Sequence, residues 1–154
     1  MNEKNSLYLF DTFTGFRKED VDVENKLFDK GITEDMLTYY STKQILDVVH
    51  GRDEKRNIDI ITVEGSVPES FEPYRGETFR FVSVDMDLYQ PTAGLLTKIW
   101  DCMVPGGIML FHDYGCSLFP GVAKAVDEFF IPKGITPIPL PDWTVSAIVI
   151  KSFH

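Results

Sequence analysis

The chain alternates short apolar runs with segments of helical periodicity. Four runs predict β-strands, at residues 7–10, 57–65, 78–85 and 108–115. These runs are nearly unbroken and rich in β-branched and aromatic residues, which is typical of strands covered on both faces. Each ends at polar or turn-forming residues, so the ends of the strands are the first places to look for chemistry.

Three segments carry apolar residues at helical spacing, at 41–50, 92–103 and 120–130. The first opens with Ser41 and has Gln44 three residues later, a capping-box pattern. The sequence VPGG predicts the end of the second helix before the next strand. The charged, irregular stretch 17–40 predicts a surface excursion with short helical turns.

Strands that alternate with helices predict an α/β protein with a mostly parallel sheet and helices on both faces. The segment around LPDW, near residues 140–143, predicts a C-terminal antiparallel hairpin. The 154 residues suit one domain, 1–154.

Charge and composition narrow the function. The formal net charge of −9 argues against a nucleic-acid partner, because phosphate binding needs clustered cations. Cys102 and Cys116 are too few for a disulfide framework, which predicts free thiols. No apolar run approaches the length of a membrane span, and the N-terminus lacks the pattern of a signal peptide. We therefore expect a cytoplasmic protein that does not bind membranes.

Acids stand where the predicted strands end. Asp85 follows one strand and His112–Asp113 another, and the carboxyl ends of parallel strands meet at one sheet edge. Two carboxylates and an imidazole are suitable ligands for a divalent cation, with Asp87 as a supporting carboxylate. The alternative is that the acids cap loops and the histidine is packed. We favour the metal site.

Asp11 has two interpretations of equal weight. At the end of a strand it can accept both hydroxyls of a ribose, or it can form an Asx-type turn with Thr12 and Thr14. Gly65, after the second predicted strand, indicates a sharp turn or a close backbone approach.

Together these motifs resemble the macrocin O-methyltransferase family, whose members are class I S-adenosylmethionine-dependent enzymes that methylate sugar hydroxyls. The matching segments are LYLFDTFTGF, VEGSVPESF, FVSVDMDLYQPT, PGGIMLFHDYG and GVAKAVDEFF, over about residues 7–130. The most specific element is VDMDLYQPT with HDYG downstream. The resemblance implies a Rossmann-like methyltransferase fold.

The resemblance also implies roles. Asp11 would bind the ribose of S-adenosylmethionine, and Gly65 and Ser66 would lie on its adenine side. Asp85 and Asp113 would bind a divalent metal, usually Mg²⁺, next to the hydroxyl pair of a small-molecule or glycan acceptor.

Two positions depart from the related patterns. The family often has a second aspartate where this chain has His112, which bears on the third ligand and on the choice of metal. The lysine base of the related catechol enzymes would fall at Leu88, so no base is assigned.

The family's first strand and glycine-rich cofactor loop have no counterpart in these 154 residues, so we regard the pattern as N-terminally truncated. In that fold the absent strand lies between the strands ending at Asp11 and Asp85. We hypothesise that these two strands instead pair directly, that a homodimer covers exposed edges, and that cofactor affinity is weak.

Two alternatives stay open. One is an inactive, methyltransferase-like binding or assembly module, or a fragment of a longer protein. The other, less favoured, is a metal-dependent phosphatase that uses the DxD pair Asp85 and Asp87. Against it, the pair is mid-chain and is followed by Leu-Tyr rather than Gly-Thr.

Overall fold

The computed structural model describes residues 5–38, 42–50 and 58–153. Its strands are β1 (Asn5–Asp11), β2 (Ile58–Glu64), β3 (Phe79–Val84), β4 (Met103–Phe111), β5 (Ile138–Pro139) and β6 (Ala147–Ile150). Its α-helices are α1 (Lys18–Phe28), α2 (Thr42–His50), α3 (Tyr89–Ile99) and α4 (Pro120–Phe130). The predicted α/β class is confirmed. Ser41 of the predicted capping box lies outside the described residues.

Four strands form one sheet in the order β3-β4-β6-β5. β3 and β4 are parallel, while β6 runs antiparallel to both β4 and β5. The predicted C-terminal hairpin is therefore confirmed. β4 carries the core: Met109 and Phe111 are fully buried on one side of it, and Val149 of β6 is nearly so.

β1 and β2 form a second, two-stranded parallel sheet, in register from Asn5 with Ile58 to Asp11 with Glu64. The hypothesis that the Asp11 strand pairs with the Asp85 strand is wrong, because aromatic rings rather than backbone hydrogen bonds join β1 to β3. The ring centroids of Tyr8 and Phe79 are 5.9 Å apart.

A cavity of about 430 Å³ separates the two sheets. Consecutive residues of both facing strands line it, 6–11 of β1 and 81–84 of β3, followed by Asp85. Since neighbouring residues of a strand point to opposite faces, a lining by consecutive residues means that the cavity runs along the two strand edges.

Helices α1, α3 and α4 pack against one another in one layer. α1 corrects the prediction of an irregular excursion, because it is an eleven-residue helix with Val21 in the core. Its other buried side chains are the charged Asp20 and Glu24. A helix that buries acids shows a weak apolar stripe, and this is why hydrophobic periodicity missed it.

The start of β4 also differs from the prediction. The strand begins at Met103 and includes Pro105–Gly107, so VPGG does not separate helix from strand. Gly106 has φ +78° beside a register shift between Phe79 and Phe81, a local irregularity that glycine accommodates. Both cysteines are free, as predicted. No helix among the described residues has the length and apolar character to cross a membrane.

Candidate cofactor and metal site

The carboxyl ends of β1, β2 and β3 open into a second cavity of about 200 Å³. Residues from all three strand ends line it, including Asp11, Gly65, Ser66 and Asp85. The three residues predicted to bind cofactor therefore share one cavity with a predicted metal ligand. Apolar walls come from Phe10, Met36, Met86 and Leu88, among others.

The Asp11 side chain forms the Asx-type turn that the sequence suggested, and it also borders the cavity. Its Oδ1 accepts a hydrogen bond of 2.7 Å from the Phe13 backbone N–H, an Asx-type turn, and the same side chain lines the cavity. The Thr12 hydroxyl closes the loop by donating to the Gly15 carbonyl at 2.7 Å and accepting from the Thr14 N–H at 3.3 Å. The turn therefore fixes the carboxylate at the mouth of the cavity.

Gly65 joins the ends of the two strands of the smaller sheet. Its N–H donates to the Asp11 carbonyl at 2.9 Å, and its φ of +140° is a conformation that favours glycine. A Cβ at this position would lie 3.2 Å from the Ser70 Cβ. This tight turn brings Ser66 to the cavity wall.

The three predicted metal ligands come together at the adjacent edge of the larger sheet. His112 Nδ1 is 3.1 Å from Asp85 Oδ1 and 2.8 Å from Asp113 Oδ2. One ligand atom from each residue lies within 4.8 Å of the other two. The His112 N–H donates to the Val84 carbonyl at 2.9 Å, which continues the β3–β4 ladder and fixes the relative position of the two loops.

The acids of this cluster differ in exposure. The Asp85 side chain is 61% exposed and that of Asp113 only 9%, and Asp87 is also buried. Asp87 and Asp113 have φ values of +59° and +55°. Such left-handed conformations are uncommon for residues other than glycine and are characteristic of constrained, functional loops.

Crowding of the acids alters their protonation. Burial, together with a hydrogen bond to Asp113, raises the pKa of Asp87 to about 7. The pKa of Asp85 is raised mainly by partial loss of water, against which the charge of His112 acts; its large exposure keeps this effect small. Burial alone lowers the pKa of His112, but the Asp113 hydrogen bond and the neighbouring carboxylates outweigh it and raise that pKa.

This donor set fits a divalent cation. Two carboxylates suit Mg²⁺, and the imidazole nitrogen also admits Mn²⁺ or Zn²⁺. Without an ion, these groups satisfy one another by hydrogen bonds.

The profile of the macrocin O-methyltransferase (TylF) family matches residues 1–148. The chain belongs to this family. The match extends over the strand ends, the cavity and the acidic cluster. A comparison with curated protein sequences finds no match.

Solved methyltransferases share the fold of this family member. The calicheamicin methyltransferase CalS11 is 23% identical with a TM-score of 0.66, and the match covers 93% of this chain and 59% of CalS11. The O-methyltransferase NovP is 16% identical with a TM-score of 0.72, over 98% of this chain and 62% of NovP. The chain therefore spans about three fifths of the length of these two proteins.

The structure adds residues that the sequence did not indicate. Arg17 and Asp20, at the start of α1, line the cavity of about 200 Å³ and lie 3.4 Å apart as an ion pair. Leu88, which the sequence already shows to offer no base, is 1% exposed. Because the hydrophobic pattern does not reveal that α1 is a helix, the charged run 17–24 does not indicate that Arg17 and Asp20 line this cavity.

Proposed function

We propose that this member of the macrocin O-methyltransferase family acts as an S-adenosylmethionine-dependent O-methyltransferase assisted by a divalent cation. Its acceptor would be a hydroxyl of a sugar or another vicinal diol. The observation that carries the proposal is that Asp85 belongs both to the cavity with Asp11, Gly65 and Ser66 and to the cluster with His112 and Asp113. A methyl donor and an acceptor hydroxyl could thus be bound side by side.

Different residues would bind the cofactor and the cation. The exposed carboxylate of Asp11 accepts hydrogen bonds from ribose hydroxyls, and the Gly65 turn allows close approach of the backbone. The apolar walls at Phe10, Met86 and Leu88 exclude water from the reacting atoms. Asp85, His112 and Asp113 would hold the cation.

Bound S-adenosylmethionine supplies a methyl group on a sulfonium, and a bound cation lowers the pKa of a coordinated hydroxyl. Asp85, His112 and Asp113 would hold and orient the acceptor hydroxyl beside the cavity, in position for in-line transfer of the methyl group that bound S-adenosylmethionine would supply. The hydroxyl proton leaves to a base that is not assigned.

The sugar acceptor has support from one relative. CalS11 is described as a TDP-rhamnose 3′-O-methyltransferase, and in a second structure it matches with a TM-score of 0.56 at 16% identity. A sugar hydroxyl with a neighbouring hydroxyl is an acceptor that a cation can chelate. The partner is therefore expected to be a small molecule or glycan.

A binding or assembly module without turnover is the second candidate. It is favoured by the cavity of about 430 Å³ between β1 and β3, because the Asp11 and Asp85 strands that flank the cofactor cavity share no backbone ladder. Such an opening reduces the preorganisation that methyl transfer needs. For this reason we expect weak cofactor affinity in this chain by itself.

Isothermal titration with S-adenosylmethionine, with and without Mg²⁺, tests binding, and transfer of a labelled methyl group to nucleotide-sugar acceptors tests turnover. Cation-enhanced binding and labelled product support the enzyme. Binding without product for any acceptor supports the module, and failure of both sinks the enzymatic proposal. Tight micromolar affinity would contradict the expected weakness.

A further inference from the structure

Glu24 is a carboxylate with no exposed surface, in the middle of α1. Its Oε2 accepts a hydrogen bond of 2.8 Å from the N–H of Tyr89, and its Oε1 one of 3.0 Å from the N–H of Gly121. Burial raises the pKa of Glu24, while these two hydrogen bonds act to lower it. A buried acid is costly, so its two donors are the feature that needs explanation.

The two donors are the N-terminal amides of different helices. Tyr89 is the first residue of α3 and Gly121 the second of α4. The residues at the N-cap positions, Leu88 and Phe119, make no side-chain cap hydrogen bond. Since the first amides of a helix have no partner within it, one side chain from α1 supplies the cap that both local sequences lack.

Gly121 is shaped for this contact. A Cβ at position 121 would overlap both carboxylate oxygens of Glu24 and the Tyr89 nitrogen. The close approach of α1, α3 and α4 at this point therefore requires glycine, and it brings the two helix N-termini to opposite oxygens of one rigid carboxylate.

Both helices connect directly to the acidic cluster. The loop that begins with Asp85 leads directly into α3, which starts two residues after Asp87. α4 is tied to the other loop, because the hydroxyl of Tyr114, next to Asp113, donates to Asp127 of α4 at 2.7 Å. A displacement of either helix N-terminus would thus be transmitted to a predicted metal ligand.

We propose that Glu24 is a positioning residue that holds the N-termini of α3 and α4 together and thereby sets the distance between the Asp85 and Asp113 loops. The metal part of this inference rests on the proposed function. Glu24 touches no ligand itself. It acts through the two helices and also links the α1 wall of the cofactor cavity to the metal edge.

The test compares Glu24→Gln with Val21→Ala. Glutamine keeps the volume of glutamate. Its amide NH₂ group, however, would face one of the two backbone N–H donors, so one of the two helix caps would be lost. The valine substitution removes buried volume from the same helix without changing the cap. We expect Glu24→Gln to weaken Mn²⁺ binding about 10-fold or more, in the range found when groups that orient metal ligands are replaced. Val21→Ala should destabilise the fold but leave Mn²⁺ affinity unchanged.

Mn²⁺ binding is followed by electron paramagnetic resonance and unfolding by urea titration. Equal loss of Mn²⁺ affinity in both variants, or none in Glu24→Gln, overturns the proposal. If Glu24→Gln fails to fold, Tyr114→Phe decides. That variant removes only the hydroxyl linking α4 to the Asp113 loop, and an unchanged Mn²⁺ affinity in it counts against the proposal.

Amide NMR separates this inference from the proposed function. If the unaltered protein binds no Mn²⁺, the metal-assisted reaction fails, but the positions of the loops can still be judged. Shifts of the Asp85–Asp87 and Asp113 amide resonances in Glu24→Gln, absent in Val21→Ala, support the positioning role. Unchanged resonances in both variants overturn it.

Discussion

The two halves of the candidate site are built in different ways. The metal half stands on β3 and β4, which pair within a four-stranded sheet, and β4 buries Met103, Met109 and Phe111. The cofactor half stands on β1 and β2, neither of which contains a fully buried residue. The edge with the predicted metal ligands is therefore held by core packing, whereas the edge with Asp11 and Gly65 depends on a sheet of two strands.

This difference indicates which side chains the fold can hold in precise positions. Metal ligands must be held to within fractions of an ångström, and the Asp85–His112–Asp113 cluster has a backbone ladder, a packed core and the Glu24 cap to hold it. The Asp11–Gly65 edge depends on its own turns and on aromatic contacts with the larger sheet. Two-stranded sheets are marginal without such support.

The largest expected effect is the loss of stability when the aromatic contacts between the sheets are removed. Phe71 is 1% exposed, and its ring centroid lies 5.8 Å from that of Phe10 and 5.9 Å from that of Phe79. Phe71→Ala should lower the free energy of unfolding by about 3–5 kcal/mol, with β1 and β2 losing hydrogen-exchange protection before β4. The fully exposed Trp143 provides the control Trp143→Ala, which should be neutral. Uniform loss of protection across all strands would contradict the distinction between the halves.

The next largest effect is expected on Mn²⁺ affinity when a buried side chain of the predicted metal site is replaced. Asp113→Asn removes the negative charge of a predicted ligand whose Oδ2 lies 2.8 Å from His112 Nδ1, and it should weaken Mn²⁺ binding about 100-fold. Calorimetric Mn²⁺ titration measures the change. Asp101→Asn, at an exposed acid, is the matched control. Equal affinities of the two variants would exclude Asp113 as a ligand.

The cofactor edge should respond less. Asp11→Asn retains an Oδ1 that can accept from Phe13, so the turn should persist while the charged acceptor is lost. A hydrogen bond to a charged group contributes about 1.5–3 kcal/mol, so S-adenosylmethionine affinity should fall at least about 10-fold. NMR titration suits the weak binding expected. Glu64→Gln, at the paired end of β2, should change nothing; an Asp11 variant with unaltered affinity would remove Asp11 from the cofactor site.

The stability of the ion-free protein should also depend on pH through the buried acid at the metal edge. The pKa of Asp87 rises from about 3.9 unfolded to about 7 folded, so the folded state binds the proton more tightly. Stability is greatest where Asp87 is protonated, and it falls as the pH rises from about 4 to 7. The raised pKa of His112 acts in the same direction above about 6.5.

Asp87→Asn isolates this contribution. In buffer with a chelator, the variant should match the unaltered protein near pH 4 and exceed its stability increasingly as the pH rises to 7. Urea unfolding at each pH gives the difference. If the two curves run parallel between these pH values, Asp87 does not titrate as its burial implies.

Much of the larger sheet could be predicted from sequence. The runs ending at Asp85 and at His112–Asp113 are apolar and strand-like, and the parallel-sheet rule places their ends at one edge. The structure brings these three residues together as the rule requires. The role of the group as a metal site stays a prediction, as does the cofactor role of Asp11, Gly65 and Ser66, although the latter three do share a cavity.

The errors have a common cause. The sequence predicts an irregular excursion at α1 because Asp20 and Glu24 occupy buried positions of the helix. The predicted pairing of β1 with β3 is wrong because aromatic rings, and not a backbone ladder, join these strands. In both cases a distant contact overrides the local pattern. Glu24 is separated from Tyr89 by 65 positions and from Gly121 by 97.

The sequence by itself determined the α/β class, the larger sheet's acid-bearing strand ends and the family pattern, since strand periodicity and turn chemistry are local properties. The tertiary structure decided that β1 pairs with β2, that a cavity divides the two sheets, and that one buried glutamate caps two helices. These features depend on which groups satisfy backbone donors and acceptors across the fold, and no local pattern encodes that.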